Sequence, residues 1–124
     1  MDKFLTYKKF LNNAKKNNSA KNRYAVITGG CGRIGSIFTN CLLHQNYKVI
    51  CLSKSNSKFL NFVKYLPNNL KKNILWQRID LKNPETIDIA FNFIKKKFPK
   101  IDILINNATD SNRGKNFQYD ISSF

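Results

Sequence analysis

Short apolar segments alternate with longer amphipathic segments along most of the chain. Four segments rich in Val, Ile and Leu have the length of buried strands. These predicted strands lie at residues 24–28, 48–52, 73–79 and 101–105. The segments between them repeat apolar residues every three or four positions, which is the spacing of one helix face. These predicted helices lie at residues 33–45, 55–66 and 83–98.

A strand followed by a helix, three times over and then a fourth strand, predicts an α/β domain. Such alternation builds a parallel sheet with helices on both faces. Because crossover connections are right-handed, few strand orders remain, and we expect the Rossmann-like order 3-2-1-4, truncated after the fourth strand. Residues 23–124 are predicted to form this incomplete domain.

The predicted helices carry capping and breaking residues. Ser55 or Ser57 can cap the second helix, which Pro67 ends. Asn83 caps the third helix, and Pro84 occupies its first position. The apolar positions define the faces expected to be buried. They are Ile34, Ile37, Phe38, Cys41 and Leu42 in the first helix, Phe59, Leu60, Phe62, Val63 and Leu66 in the second, and Ile87, Ala90, Phe91, Ile94 and Phe98 in the third.

Residues 1–22 differ from the rest and are predicted to form a basic arm. Phe4, Tyr7, Leu11 and Ala14 recur at helical spacing among lysines, so a short amphipathic helix is expected, followed by a polar linker at residues 17–22. We interpret it as a helix that docks on the domain or on a partner subunit, with a membrane-surface anchor as the alternative. The segment has no secretory signal pattern.

The charge balance of the 124-residue chain is strongly basic. The chain has 22 Lys+Arg against 7 Asp+Glu, which gives a net charge of +15. Nucleic-acid binding is therefore one interpretation. However, the excess is mostly Lys accompanied by abundant Asn, and arginine, the better residue for phosphate and base contacts, is scarce. We favour AT-rich codon usage as the origin of the charge, which can still steer an anionic ligand to the protein.

The cysteines and the single histidine predict no metal site. Cys31, Cys41 and Cys51 are too few for a disulfide framework, which indicates a reducing compartment and a cytoplasmic location. No pair has ligand spacing, and His44 has no ligand neighbour. Cys31 precedes a predicted helix N-terminus, which lowers a thiol pKa, so it is expected to be sensitive to oxidation. No apolar run is long enough to span a membrane.

A glycine-rich segment, Thr28-Gly29-Gly30-Cys31-Gly32-Arg33-Ile34-Gly35, joins the first strand to the first helix. Gly30, Gly32 and Gly35 fit the dinucleotide-binding fingerprint in the strand–helix context that this fingerprint requires. In such loops one glycine makes a tight turn, another lets the backbone approach the pyrophosphate, and a third lets the helix pack closely on the sheet. The helix N-terminus then offers free amides and partial positive charge to the phosphates.

Together with two later motifs, this loop resembles the short-chain dehydrogenase/reductases. Asp80-Leu81 follows the third strand, and Asn106-Asn107-Ala108 follows the fourth. The resemblance covers residues 23–124. The glycine spacing also fits the longer, nucleotide-sugar branch of this superfamily, whereas Asn-Asn-Ala fits the single-domain branch. The loop at residues 106–117 is similar to reductases of surface-polysaccharide and flagellin-sugar pathways.

The resemblance implies a set of roles in binding NAD(P). Residues 29–35 would hold the pyrophosphate, Asp80 and Leu81 would contact the adenine, and Asn107 and Ala108 would run past the adenosine ribose. Asn106 would help to tie the central strands together. The complete predicted set is Thr28, Gly29, Gly30, Cys31, Gly32, Arg33, Ile34, Gly35, Ser53, Lys54, Asp80, Leu81, Asn106, Asn107 and Ala108.

The end of the second strand favours NADP over NAD. An acidic residue there would bind the ribose hydroxyls of NAD. Ser53 and Lys54 occupy that place instead, and no carboxylate lies between Gly35 and Asp80. Ser53 could hydrogen-bond a 2′-phosphate, and Lys54 and Arg33 could neutralise it.

The catalytic Tyr-x-x-x-Lys pair of the family is absent from these residues, since no tyrosine is followed by lysine four positions later. We therefore expect the cofactor-binding part of an oxidoreductase that acts on a carbonyl or hydroxyl of a small or sugar-linked metabolite. A non-catalytic dinucleotide-binding remnant or regulatory subunit and a basic nucleic-acid-binding module are the alternatives. Whether the chain is an enzyme by itself stays open. Uncovered apolar surface predicts marginal stability, a homo-oligomer or a partner subunit.

Overall fold

The strands of the computed structural model, which describes residues 22–107, form one parallel sheet in the order β3-β2-β1-β4. The strands are β1 at Arg23–Thr28, β2 at Tyr47–Ser53, β3 at Ile74–Arg78 and β4 at Ile103–Asn106. The helices are α1 at Gly35–His44, α2 at Ser57–Lys64, the short α3 at Asn68–Lys71 and α4 at Pro84–Lys97. The predicted fold class and strand order are therefore confirmed. The predicted basic arm, Ala108 and the segment after it lie outside the described residues.

The core consists of two layers, one on each face of the sheet. Alternate residues of a strand point to opposite faces, so Val49 and Cys51 join one layer while Ile50 and Leu52 join the other. The first layer is completed by side chains of α1, α2 and α3 with the segments beside them, and the second mainly by Ala90 and other residues of α4. Helices therefore cover both faces, as the alternation of elements predicts.

The buried face of α1 differs from the predicted one. Ile37 and Phe38 are 53% and 43% exposed. Ile34, also expected inside, is exposed, whereas Leu42 is buried as predicted. The helix also buries Gly35, Thr39 and Leu43, which were not predicted. This rotation has a physical cause, because Gly35 and Thr39 are small enough to lie directly against the glycine-rich loop. Contact with that loop therefore sets which face of α1 meets the sheet.

Three further helix predictions were wrong in detail. Leu60 and Phe91, expected inside, are exposed. Neither Ser55 nor Ser57 is the N-cap of α2, since Asn56 occupies that position without a side-chain capping bond. The short helix α3, directly after Pro67, was not predicted because it is too short to show a period.

The start of α4 confirms its predicted cap. The side chain of Asn83 accepts a hydrogen bond from the Glu85 backbone N–H at 3.1 Å, and Pro84 is the first helical residue. Proline costs the helix no hydrogen bond at this position, because the first amides of a helix have no partner within the helix.

The start of the fourth strand is held to β1 by two hydrogen bonds. Before β4 begins, the Asp102 carboxylate accepts the Tyr24 backbone N–H at 2.8 Å, and the Asp102 N–H donates to the Tyr24 carbonyl at 2.8 Å. Leu104, in the middle of β4, is exposed. Among residues 22–107, β4 pairs only with β1, so it forms one edge of the sheet. No helix in this part of the chain is long and apolar enough to cross a membrane.

Candidate functional site

Most of the predicted site residues lie at one end of the sheet, where the strands have their carboxyl ends. In the parallel register, Thr28 of β1 pairs with Leu52 of β2 and with Asn106 of β4, and Ser53 pairs with Arg78 of β3. The segments that follow these positions contain the glycine-rich loop, Lys54, Asp80-Leu81 and Asn107. Open parallel sheets bind ligands at the carboxyl ends of the strands, where the strand order reverses. Only Ala108 lies outside the described residues.

The glycine-rich loop makes its turn at Gly29. This residue has a φ of 65°, in the left-handed region that glycine adopts without cost. Its N–H donates to the Leu52 carbonyl at 2.7 Å, which continues the pairing of β1 with β2. Its carbonyl oxygen accepts the Gly32 N–H and the Asn107 side-chain Nδ2–H, both at 3.1 Å. Gly29 therefore joins the loop to the ends of β2 and β4.

Two other glycines are required by close packing inside the protein. A Cβ on Gly35 would lie 2.0 Å from the Gly29 carbonyl oxygen, so α1 begins in direct backbone contact with the turn. A Cβ on Gly30 would lie 2.7 Å from Cys51 Sγ and 3.0 Å from Thr39 Oγ1. The buried Thr39 hydroxyl also donates to the Gly30 carbonyl at 2.7 Å. These contacts fix the loop between α1 and β2.

Gly32 has a different environment, because space is open beside it. The nearest atom to a Cβ there is the Gly29 oxygen at 3.4 Å, which is an ordinary contact. The packing of the protein therefore does not require a glycine at this position. A backbone without a Cβ and with open space above it is suited to close approach by a ligand.

The start of α1 has the electrostatic character of an anion site. Ile34 is its N-cap without a side-chain capping bond, and the first turn contains no acidic residue. The start of a helix carries partial positive charge. The amides here are not all free as expected, because the Ser36 N–H donates to the Gly32 carbonyl at 2.9 Å. The Ile37 N–H donates to the Ile34 carbonyl at 3.0 Å. Arg33, which is exposed, adds a full positive charge directly before the helix. The combination favours a phosphate group.

Asn107 makes the side-chain tie between β4 and the loop. Its backbone N–H donates to Thr28 Oγ1 at 2.9 Å, and its side chain reaches the Gly29 carbonyl. Asn106, expected to help tie the central strands together, pairs with Thr28 through the strand backbone. The side-chain contact belongs to the next residue, because successive residues of a strand point in opposite directions.

Ser53, at the end of β2, is held by a hydrogen-bond network that sequence analysis missed. Its hydroxyl donates to the Ser55 carbonyl at 2.7 Å and accepts the indole Nε1–H of Trp76 at 2.7 Å. A serine hydroxyl has one proton, so in this arrangement Ser53 offers a further ligand only a lone pair. Trp76 also stacks on Phe59, with ring centroids 6.5 Å apart. The signal was present in the sequence, because a half-buried indole N–H needs an acceptor.

Asp80 is anchored to the start of α4. Its backbone N–H donates to Thr86 Oγ1 at 2.9 Å, and the Thr86 hydroxyl lies 2.8 Å from the Asp80 carbonyl. Its carboxylate accepts the Lys82 N–H at 3.1 Å and lies 4.0 Å from the Arg78 guanidinium. The next residue, Leu81, is exposed and presents an apolar side chain to solvent. Thr86 was not predicted as part of this corner.

No cluster of three or more His, Cys, Asp or Glu residues that could hold a metal ion occurs within residues 22–107. The open space beside Gly32 and the partial positive charge at the start of α1 are features suited to a phosphate-bearing ligand.

Comparison with known proteins gives matches to one family. Residues 23–123 match the family described as short chain dehydrogenase. The chain is 36% identical over 89 residues to (+)-neomenthol dehydrogenase of Capsicum annuum, covering 69% of this chain and 28% of that protein. It is 32% identical over 89 residues to post-translational flagellin modification protein A of Campylobacter coli, covering 71% of this chain and 34% of that protein.

A solved structure shows the same fold. Menthone neomenthol reductase from Mentha piperita matches with a TM-score of 0.67 and 30% identity, over 73% of this chain and 33% of that chain. In each of these three comparisons the match spans about a third of the relative's length or less.

Proposed function

Since this chain belongs to the short-chain dehydrogenase family, we propose that it binds an NAD(P) dinucleotide along the strand ends and is the cofactor-binding part of an oxidoreductase. The observation that carries this proposal is the difference in packing among the glycines of the loop. Gly30 and Gly35 are needed for packing, whereas Gly32 has open space beside the uncapped start of α1. A pyrophosphate group fits such a place in shape and in charge.

The residues of this chain would each hold a different part of the dinucleotide. Residues 29–35 would surround the pyrophosphate. Asp80 and Leu81 would border the adenine, with Leu81 supplying apolar contact. Asn107, and Ala108 after it, would run past the adenosine ribose. When bound, the nicotinamide would supply a hydride donor or acceptor for a carbonyl or hydroxyl of a small or sugar-linked metabolite.

The proposed cofactor is NADP rather than NAD. Lys54, directly after β2, and Arg33, in the glycine-rich loop, are exposed cations. No carboxylate lies between Gly35 and Asp80 to repel a 2′-phosphate. Ser53 has a smaller part than its position suggests, because its proton is already donated to Ser55. We therefore assign the 2′-phosphate to the charges of Lys54 and Arg33, with Ser53 fixing the shape of the loop.

A dinucleotide-binding protein without catalysis is the second candidate. None of the tyrosines in these 124 residues is followed by lysine four positions later, and the match spans about a third of the relatives' length or less. These residues can bind and orient a cofactor, but they contain no such pair to donate a proton to a carbonyl. The cytoplasmic location and a homo-oligomer or partner subunit also remain predictions.

Titration with dinucleotides tests the proposal. The purified chain is titrated with NADPH and with NADH by isothermal calorimetry, and Gly32→Ala and Lys54→Glu are titrated alongside. We expect saturable binding with NADPH preferred, and a loss of roughly tenfold or more in affinity for Gly32→Ala, which is about 1.4 kcal/mol. Lys54→Glu should reverse the preference, since a carboxylate repels the 2′-phosphate and binds ribose hydroxyls.

Two results would contradict the proposal. The first is folded protein, by circular dichroism, that binds neither dinucleotide. The second is salt-sensitive binding of DNA or RNA that NADPH does not displace, which would favour the nucleic-acid alternative. Equal affinity of wild type and Gly32→Ala would remove the assigned role of the glycine loop.

A further inference from the structure

Cys31 of the glycine-rich loop and Cys51 of β2 meet in the core layer under α1. Cys31 packs against the cluster that contains Cys51. The loop backbone also lies directly on Cys51, since a Cβ on the intervening Gly30 would be 2.7 Å from its sulfur. Two cysteines twenty positions apart therefore lie in the same core layer at the base of the loop.

The two thiols differ in their access to solvent. A groove of about 590 Å³ runs between α1 and α2, and Cys31 forms part of its wall together with Asn40, His44 and Phe62. Cys51 is only 1% exposed. A small reagent that enters the groove therefore reaches Cys31 before the buried Cys51.

The two thiols also differ in acidity. Interaction with Cys51 lowers the pKa of Cys31 below its ordinary value, although burial acts in the opposite direction. Interaction with Cys31, together with burial, raises the pKa of Cys51. Because the thiolate is the reactive form, these directions favour Cys31 over Cys51 as the nucleophile of the pair.

We propose that Cys31 and Cys51 form an oxidation site at which a peroxide converts the two thiols into a disulfide. The Cys31 thiolate attacks one peroxide oxygen, so an S–O bond forms, the O–O bond breaks, and the departing oxygen leaves as water after taking up a proton. Cys51 sulfur then attacks the Cys31 sulfenic acid. The S–S bond forms, the S–O bond breaks, and the hydroxyl leaves as water with the Cys51 proton. Both sulfurs are oxidised, and the peroxide is reduced to water.

Closure of this disulfide would move the glycine-rich loop. The S–S bond is about 2.05 Å long, which is well below the separation of any two sulfurs that are not covalently bonded. Cys31 must therefore approach β2, and the adjacent amides move with it. Resting on the proposed function, the disulfide should weaken dinucleotide binding, and bound dinucleotide should by linkage oppose the disulfide.

Mass spectrometry of the peroxide-treated chain tests the oxidation site directly. We expect a loss of two hydrogen atoms, a linked peptide containing Cys31 and Cys51, and reversal by dithiothreitol. Cys41→Ser, which removes the third cysteine, should behave as the wild type. Cys51→Ser should stop at a sulfenic acid on Cys31 that dimedone traps. Because Cys51→Ser changes a buried position, Cys31→Ser, at a half-buried loop position, serves as the second variant and should form no intramolecular disulfide.

The proposal is overturned if peroxide leaves both thiols unlinked, or if it links Cys31 to Cys41 instead. Calorimetry with NADPH then separates this site from the proposed function. We expect the oxidised chain to bind about tenfold more weakly than the reduced chain, a coupling typical of two linked sites. A disulfide in a chain that binds no dinucleotide even when reduced would refute the proposed function and leave the oxidation site standing. Equal affinity of both forms would refute the effect on the loop alone.

Discussion

The contact between Gly35 and Gly29 makes a quantitative prediction about stability. In Gly35→Ala the new Cβ would lie 2.0 Å from the Gly29 carbonyl oxygen, 2.7 Å from Asn107 Nδ2 and 2.9 Å from the Gly29 carbonyl carbon. Ordinary contact begins at 3.4 Å. Either the turn or the start of α1 must therefore move by more than ~1 Å, because two of the three neighbouring atoms are backbone atoms that no rotamer change can displace.

The energetic cost has three parts. Forcing an extra carbon into a packed site costs about 1–3 kcal/mol. Displacing the Gly29 oxygen breaks its hydrogen bond with Asn107, at about 1 kcal/mol. Alanine restricts the unfolded chain more than glycine does, which returns about 0.4–1 kcal/mol. The unfolding free energy of Gly35→Ala should therefore fall by about 1–3.5 kcal/mol, centred on ~2 kcal/mol, which is a large part of the stability of a small domain.

Urea unfolding followed by circular dichroism measures this change. Small proteins lose about 1–3 kcal/mol of stability per molar urea, so the midpoint should fall by about 1–2 M. Gly32→Ala is the matched control, since its nearest neighbour lies at an ordinary 3.4 Å and its midpoint should change little. An unchanged midpoint in Gly35→Ala, or equal losses in the two variants, would refute the assignment of packing to Gly35 alone.

Three further predictions concern contacts outside the glycine loop. Asn83→Ala removes the α4 cap and should cost about 1 kcal/mol in urea unfolding, with Asn83→Asp close to wild type. Trp76→Phe and Ser53→Ala break the same hydrogen bond, so their losses of about 1 kcal/mol each should be non-additive in the double variant. The hydrogen bond from the Tyr24 N–H holds the pKa of the Asp102 carboxyl below its ordinary value. This contact therefore stabilises the folded state fully at a pH above the ordinary pKa, and its contribution is lost as the pH falls through the lowered pKa. The urea midpoint of the wild type should therefore decrease at acidic pH, and the midpoint of Asp102→Asn should lack this decrease. An identical dependence of the midpoint on pH in the two proteins would contradict the prediction.

The exposed apolar side chains agree with the expectation that part of this surface needs a cover. Ile34, Ile37 and Phe38 form one exposed patch on α1 and its start, and Leu104 lies exposed on the edge strand β4. Apolar patches of this kind mark surfaces that associate with other protein elements. The predicted marginal stability, or dependence on a partner, remains a prediction that the wild-type unfolding curve above would measure.

The order of elements and the strand order followed from the sequence because their signals are local. Strand and helix periods can be read over a few residues, and the caps at Asn83 and Pro84 act within one turn. The right-handed crossover rule then leaves few topologies for alternating strands and helices. The glycine loop was recognised for the same reason, since all of its glycines lie within one short segment between β1 and α1.

The contacts that shape the site were decided by tertiary structure. Asn107 and Gly29 are 78 positions apart, and Trp76 and Ser53 are 23 apart, so only the parallel register of the sheet brings each pair together. The buried face of α1 depends on contact with the loop, which turns Ile37 and Phe38 outward against their apolar pattern. Cys31 and Cys51 share one core layer for the same reason, because β1 lies beside β2 and the loop backbone lies against Cys51. A local pattern specifies which residues form an element, but packing between distant segments decides which of their atoms meet.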